Sequence, residues 1–285
     1  MDRVTRYDRD GLVFEATDSG PLEGEVVVLL HGFPATRASW REVVPRLEAA
    51  GLRCLVPLQR GYSPGARPPG RRPYRSTELV ADVVALLDRA GVDRAHVVGH
   101  DWGGLVAWKL AAEHPDRVAS LTVLSTPHPA ALSASLTSSL QALRSWYMGF
   151  FQLPWLPEAL LRRRLAPVLQ RMGLPAERAG EYAEAMRASG ALTGAIAWYR
   201  ALWLPAGGAR PSLATGRVAV PTRYLWGRHD TALGRRAAEL TARHVSGPYR
   251  FVELDEGHWL PEVAPRVVAE AVLAAVRGPG DRPAA

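Results

Sequence analysis

The sequence predicts a mostly parallel α/β fold carrying a helical insertion, and three observations carry that prediction. Short β-branched runs alternate with helical patterns in both the first and last thirds of the chain. From Pro127 to Ala214 the strand signal disappears, leaving helical stretches rich in Leu, Ala, Arg and aromatics and broken by Pro154, Pro157, Pro167 and Pro175. The length of 285 residues suits one large α/β unit with an insertion better than two full domains.

Composition narrows the class further. With 47% hydrophobic and 22% charged residues, the chain has the makeup of a packed protein and not of a disordered, collagen-like or coiled-coil one. The single cysteine, Cys54, excludes an internal disulfide and any multi-cysteine metal or iron–sulfur site, and no metal is expected. The net charge is +7, but Lys109 is the only lysine and the arginines are spread along the chain, with small clusters at Arg71–Arg72 and Arg162–Arg164. A nucleic-acid binder concentrates such charge on one face, so no nucleic-acid partner is expected. The amino terminus lacks an apolar run, and no stretch approaches the roughly 18 apolar residues of a span. Those features lead to the expectation of a cytoplasmic protein with no membrane partner, a monomer or a homodimer.

Taken in order, Val26–Leu30 reads as a buried strand ending in His31-Gly32-Phe33-Pro34. Residues 37–50 have helical spacing and Leu52–Pro57 reads as a strand. A helix is predicted from Ser76 to Ala90, capped by Ser76 or Thr77 and ended by Gly91. His96–Gly99 and Val118–Leu124 are strands flanking a helix over Gly103–His114. After the insertion come a strand at Thr222–Trp226, a helix around Arg235–His244, a strand at Tyr249–Leu254 and a last helix over Pro265–Val276. Proline suits the first turn of that helix, where its missing N–H would have no partner. The Gly/Pro-rich tail from Gly278 is expected to fray. The division expected is a core of residues 1–126 and 216–285, with a helical cap over 127–215.

The chemistry concentrates at strand ends. Gly99-His100-Asp101-Trp102-Gly103 lies between a strand and a helix, with glycines flanking the acid as a sharp turn requires. Taken alone, the pattern also fits an Asp that caps the next helix. Asp230 in Gly227-Arg228-His229-Asp230 and His258 in Gly257-His258-Trp259 follow two later strands, in the chain order nucleophile, acid, histidine. His229, Asp255 and Glu256 beside them read as surface or supporting residues. The amide of Phe33 can join that of Trp102 as an oxyanion hole, Pro34 is expected after a cis bond, and His31 is expected to pin its loop.

An Asp in the nucleophile position says what is attacked. Serine attacking saturated carbon would leave an ether that water cannot clear, whereas a carboxylate leaves an ester that water opens at the carboxyl carbon. The leaving group is then a halide or an epoxide oxygen.

The motifs HGFP, GHDWGG, GRHD and GHW resemble the α/β-hydrolase fold family that contains epoxide hydrolases and haloalkane dehalogenases, over essentially the whole chain from Val26. The resemblance implies a mostly parallel eight-stranded sheet flanked by helices, with an inserted helical cap. It also implies two cap tyrosines that protonate the epoxide oxygen. Tyr147, ahead of Phe151-Gln152-Leu153-Pro154, and Tyr199, within Trp198-Tyr199-Arg200, match their segments. Epoxide hydrolysis is therefore expected, with a haloalkane dehalogenase or a non-catalytic ligand-binding member of the fold as alternatives. Asp101 is expected as nucleophile, His258 with Asp230 as the water-activating pair, and Tyr147 and Tyr199 as acids. Phe33, Trp102, Trp146, Phe150 and Phe151, with Trp155 and Trp203 near, suggest a small apolar or aromatic epoxide; no cofactor is expected. Two positions depart from the family pattern: Ala35 stands where a Glu often helps hold water, and Leu58-Gln59 stands where an Asp often leads Arg60-Gly61-Tyr62.

Overall fold

The computed structural model describes residues 2–202, 204 and 215–278. Its strands are β1 (Arg6–Arg9), β2 (Leu12–Ser19), β3 (Val26–Leu30), β4 (Arg53–Pro57), β5 (Ala95–His100), β6 (Val118–Leu124), β7 (Thr222–Gly227) and β8 (Tyr249–Leu254). They form one sheet in the order β1-β2-β4-β3-β5-β6-β7-β8, parallel from β4 to β8 and antiparallel where β1 and β2 join. The core helices are α1 (Val44–Glu48), α2 (Ser76–Arg89) and α3 (Trp102–Glu113). Six more lie between β6 and β7 among the described residues: α4 (Pro129–Ser138), α5 (Gln141–Arg144), α6 (Trp146–Phe150), α7 (Leu156–Arg171), α8 (Ala176–Ala185) and α9 (Ala191–Ala201). The chain closes with α10 (Arg235–Leu240), α11 (Leu260–Val263) and α12 (Pro265–Val276).

Alternation along the strands builds an apolar layer on each face of the sheet. Val26, Val28 and Leu30 of β3 join Val97 and Leu121 on one face, while Val27 and Leu29 join Trp40, Val98 and Val268 on the other. Because both faces are covered, β3 and β4 are buried along their whole length; β3 therefore reads as an unbroken apolar run, while Arg53 of β4 is buried in a pair with Asp18 at 2.9 and 2.6 Å.

Several expectations are corrected in detail. Residues 37–50 form a 3-10 turn, Arg37–Trp40, and then the short α1 instead of one helix, with Pro45 in the first turn of α1. Neither Ser76 nor Thr77 caps α2: Ser76 is its first helical residue, and the cap position falls to Arg75, whose side chain makes no capping bond. Gly91 does end that helix, in the left-handed conformation at φ 66°. The stretch 235–244 divides into α10 and a 3-10 turn, Thr241–His244. Trp203 and the tail beyond Gly278 lie outside the described residues, as does the stretch 205–214 at the end of the insertion.

The insertion is fastened to the core beside β4. Trp198 of α9 donates through Nε1 to the Arg60 carbonyl at 2.8 Å. Gly61, at φ 87°, meets Gly194 of α9 so closely that a Cβ on either would lie 2.7 Å from the other's backbone. Arg60 itself holds Asp82 of α2 in a buried two-point pair at 2.7 and 2.6 Å. The Gln59-Arg60-Gly61 run is thus scaffolding for α9.

Candidate active site

Four strand ends meet at one edge of the sheet. The loops after β3, β5, β7 and β8 carry Phe33, Asp101, Asp230 and His258, where open α/β sheets hold their ligands. Asp101 sits at the turn from β5 into α3 with φ 50° and ψ −119°, a conformation that few residues other than glycine adopt. Gly99 and Gly103 make the turn possible, since a Cβ on Gly99 would lie 2.4 Å from the Gly103 carbonyl oxygen. Thr126 braces the turn by donating its hydroxyl to the Asp101 carbonyl at 2.7 Å.

The structure brings Asp101, His258 and Asp230 together. His258 Nδ1 lies 2.8 Å from Asp230 Oδ2, and its Nε2 lies 3.5 Å from Asp101 Oδ2. The other Asp230 oxygen accepts from the amides of Ala232 and Leu233 at 2.7 and 2.8 Å, so the carboxylate serves its own turn and the imidazole at once. The His258 carbonyl is pinned by His100 Nε2 at 2.9 Å and the Ser125 hydroxyl at 2.7 Å. Burial opposes a charge on His258, but the Asp230 and Asp101 carboxylates outweigh it and push its pKa up to about 10. Burial likewise opposes charge on Asp101, yet His258 and the Phe33 amide hold its pKa below the ordinary value.

Phe33 donates its backbone N–H to Asp101 Oδ1 at 2.8 Å, across the cis Phe33–Pro34 turn. His31 takes the bracing position expected of it. It lies fully buried, accepts from the Gln59 amide at 3.3 Å, and burial lowers its pKa to about 4, so it stays neutral.

Asp101 and His258 open onto a cavity of about 390 Å3, whose wall from α7 is apolar at Leu161, Leu165, Val168 and Leu169 and ends in Arg171. Tyr147 and Tyr199 line the same cavity from the insertion, with ring centroids 5.9 Å apart. Burial, then the Asp101 charge, raises both phenol pKa values above the ordinary tyrosine value, so both hydroxyls keep their protons near neutrality. Phe33, Trp146 and Phe151 also line this cavity, while Trp102 lines a smaller adjoining one with Asp101 and both tyrosines. Phe150 lines neither; its ring packs on Trp146 and Phe151. Trp155 stands 73% exposed beside a separate surface cavity. His229 and Asp255 pair with each other at the surface, 2.7 Å apart.

Sequence reasoning missed the residues that tie the His258 loop to the insertion. Trp259 donates to the Met172 carbonyl at 3.1 Å, and Tyr182 donates to the half-buried Glu262 at 2.6 Å. Burial raises the Glu262 pKa to about 7. Gln141 and Arg144 were missed too, although Gln141 bonds the Ala232 carbonyl and the Gly234 amide and Arg144 donates to the Asp230 carbonyl. No spacing rule pairs residues so far apart in the chain.

The sequence matches a family described as alpha/beta hydrolase fold over residues 25–265. It is 35% identical to the AB hydrolase superfamily protein YfhM of Bacillus subtilis, covering 93% of this chain and 94% of that one. It is 33% identical to epoxide hydrolase A of Mycobacterium tuberculosis, covering 95% and 96%. Among solved structures, epoxide hydrolase A from Mycobacterium thermoresistibile superposes with a TM-score of 0.80 at 29% identity, over 96% of this chain and 97% of that chain.

Proposed function

Because the chain belongs to the α/β-hydrolase fold family and is epoxide hydrolase-like, we propose that it is an epoxide hydrolase that adds water to an epoxide and yields a vicinal diol. The observation that carries this reading is the facing of Asp101 and the two tyrosines, Tyr147 and Tyr199, across one largely apolar cavity, with His258 backed by Asp230 beside it.

Asp101 Oδ2 attacks a ring carbon while the C–O bond of the epoxide breaks. A tyrosine hydroxyl delivers its proton to the departing oxygen, which leaves an alkyl ester on Asp101. That step removes the carboxylate charge beside His258. One of the two anions holding the imidazole protonated is then gone, so its pKa falls, its proton passes to the tyrosinate, and the neutral ring accepts a proton from water. The water oxygen attacks Cγ of Asp101. The amides of Phe33 and Trp102 hold the resulting oxyanion on Oδ1, and the ester C–O bond breaks to release the diol. The hydroxyl that water leaves on Asp101 gives its proton to the departing diol oxygen, which restores the carboxylate beside the imidazolium, and Asp101 keeps one oxygen from water. Neither a metal nor an organic cofactor is needed for any of these transfers. The cap is assigned to residues 127–215, the core to 1–126 and 216–285, and the place of action to the cytoplasm. Ala35 offers no side chain to the water, so its positioning falls to His258 and the two amides.

A single turnover with excess enzyme in oxygen-18 water tests this. The label is expected in the Asp101 peptide and not in the first diol, and His258→Ala is expected to accumulate an adduct of the substrate's mass on Asp101. Label in the first diol with no adduct would instead mean direct attack by water. Halide release from haloalkanes is the control for the alternative leaving group.

A further inference from the structure

Every large hydrophobic residue that stands exposed among the described residues falls within one short stretch: Leu140, Leu143, Trp146, Leu153, Trp155 and Leu160. Single exposed apolar side chains are ordinary, but their confinement to one short stretch of the insertion is not. At its start the packing is one-sided. Gln141 and Ser145 are buried and hydrogen-bonded to each other at 3.0 Å, which leaves Leu140, Leu143 and Trp146, three residues apart, turned outward.

Charge supplies a second, independent observation. Between Asp116 and Glu177 the only acidic residue is Glu158, and it is buried against Arg200 at 2.6 Å. The same stretch holds Arg144, Arg162, Arg163, Arg164 and Arg171. The last four are exposed, and among the described residues their side chains make no ion pair or hydrogen bond. Trp146, 68% exposed, and Arg144 also line the cavity onto which Asp101 opens.

We propose that this stretch of the insertion docks the protein on an anionic lipid surface, with Leu140, Leu143, Trp146 and Trp155 entering the headgroup region and the arginines resting on lipid phosphates. Separate protruding side chains suit a fluid surface that closes around each of them, whereas a protein partner needs a shaped groove. A second copy of this chain is disfavoured, because it would set four unpaired arginines against four more. No described helix is long and apolar enough to cross a bilayer, so the contact is with its surface. This departs from the sequence-based expectation of no membrane partner, which rested on the lack of a spanning run. With the exposed Trp146 lining the cavity, an apolar epoxide would pass from lipid into it without crossing water; that last step rests on the epoxide hydrolase reading, and the docking does not.

Co-sedimentation with vesicles tests the docking. The protein should pellet with vesicles of equal parts phosphatidylcholine and phosphatidylglycerol at low salt, and should do so far less with phosphatidylcholine alone or at high salt. Leu143→Ser with Trp155→Ser should abolish binding. Replacing Arg162, Arg163 and Arg164 by Gln should weaken it about fivefold per charge. Both variants should turn over a water-soluble epoxide like the wild type, which also shows that they fold. An apolar epoxide dissolved in the anionic vesicles should be consumed faster by the wild type than by either variant. The proposal is overturned if the wild type ignores anionic vesicles, if the substitutions leave binding unchanged, or if light scattering finds a dimer that those substitutions dissolve. Binding to vesicles without turnover of any epoxide would support the docking and count against the reaction.

Discussion

Adding one carbon at Gly194 tests whether the geometry of the insertion sets the rate. In Gly194→Ala the new Cβ would lie 2.7 Å from the Gly61 Cα and oxygen, short of an ordinary 3.4 Å contact by about 0.7 Å. Both neighbours are backbone, and Trp198 bonded to the Arg60 carbonyl resists a sideways slip, so α9 must move as a body. Alanine gains about 1 kcal/mol in helix propensity, while overpacking costs about 1–3 kcal/mol. The net change is a loss of about 0–2 kcal/mol. Tyr199 rides on the same helix, and a displacement near 1 Å at a reacting group can cost about a hundredfold in rate. The expected result is kcat lowered by about ten- to a hundredfold on an epoxide, with a slightly lower Tm. Gly180→Ala is the matched control, because it lies inside α8 with nothing within 4 Å of its added Cβ. It should stabilise by about 0.5–1 kcal/mol and leave kinetics alone. If Gly194→Ala behaves like Gly180→Ala in both respects, the argument that the glycine pair positions Tyr199 is wrong.

Further outcomes follow from the site. Tyr147→Phe or Tyr199→Phe should slow ester formation by about a hundredfold, since a lost donor to developing charge costs about 3 kcal/mol; a double variant with wild-type burst kinetics contradicts the proton-donor role. Trp102→Phe should cost little on epoxides, because only its backbone amide is used, and a large loss in a folded protein would reassign the indole. The folded pKa of His258, about 10, lies above its ordinary 6.5, so its stabilising charge is fully present below pH 6.5 and is lost as pH rises towards 10. His258→Gln should therefore flatten the fall of Tm over that window, which thermal melts across pH would read. Glu262 behaves oppositely to a paired carboxylate: with its pKa raised to about 7 from 4.5, stability falls as pH rises between those values. Glu262→Gln should raise Tm at about pH 8 and leave it unchanged near pH 4.

β3 was legible because burial on both faces turns Val26–Leu30 into an unbroken apolar run, and the other parallel strands because β-branched, aliphatic and aromatic residues gather in them despite interruptions such as Arg53 and Arg223. β1 and β2 left no such mark. Only alternate residues such as Tyr7, Phe14 and Ala16 face the core, and the charged residues between them hide the pattern. The convergence of Asp101, Asp230 and His258 could be read because each follows a strand, and parallel strands put all their carboxyl ends at one edge. Contacts between insertion and core were not legible. Gly61 against Gly194 and Tyr182 against Glu262 join residues far apart in the chain, with no periodicity to announce them. The α2 cap was misassigned because Arg75, Ser76 and Thr77 offer neighbouring starts whose choice depends on packing.

The turn at Asp101 also bears on how such a protein can change over time. A side chain held at φ 50° and ψ −119° raises the free energy of the native state, by about 1–3 kcal/mol for a conformation of this kind. Glycine at that position would relieve the strain and abolish the nucleophile in one substitution. Selection for thermal resistance alone would thus reward an inert descendant over an active one, and a library screened only for melting temperature should be enriched in chains that have traded away their reaction. Asparagine keeps the shape and tolerates left-handed backbone better than most residues, so Asp101→Asn separates chemistry from strain where Asp101→Gly confounds them.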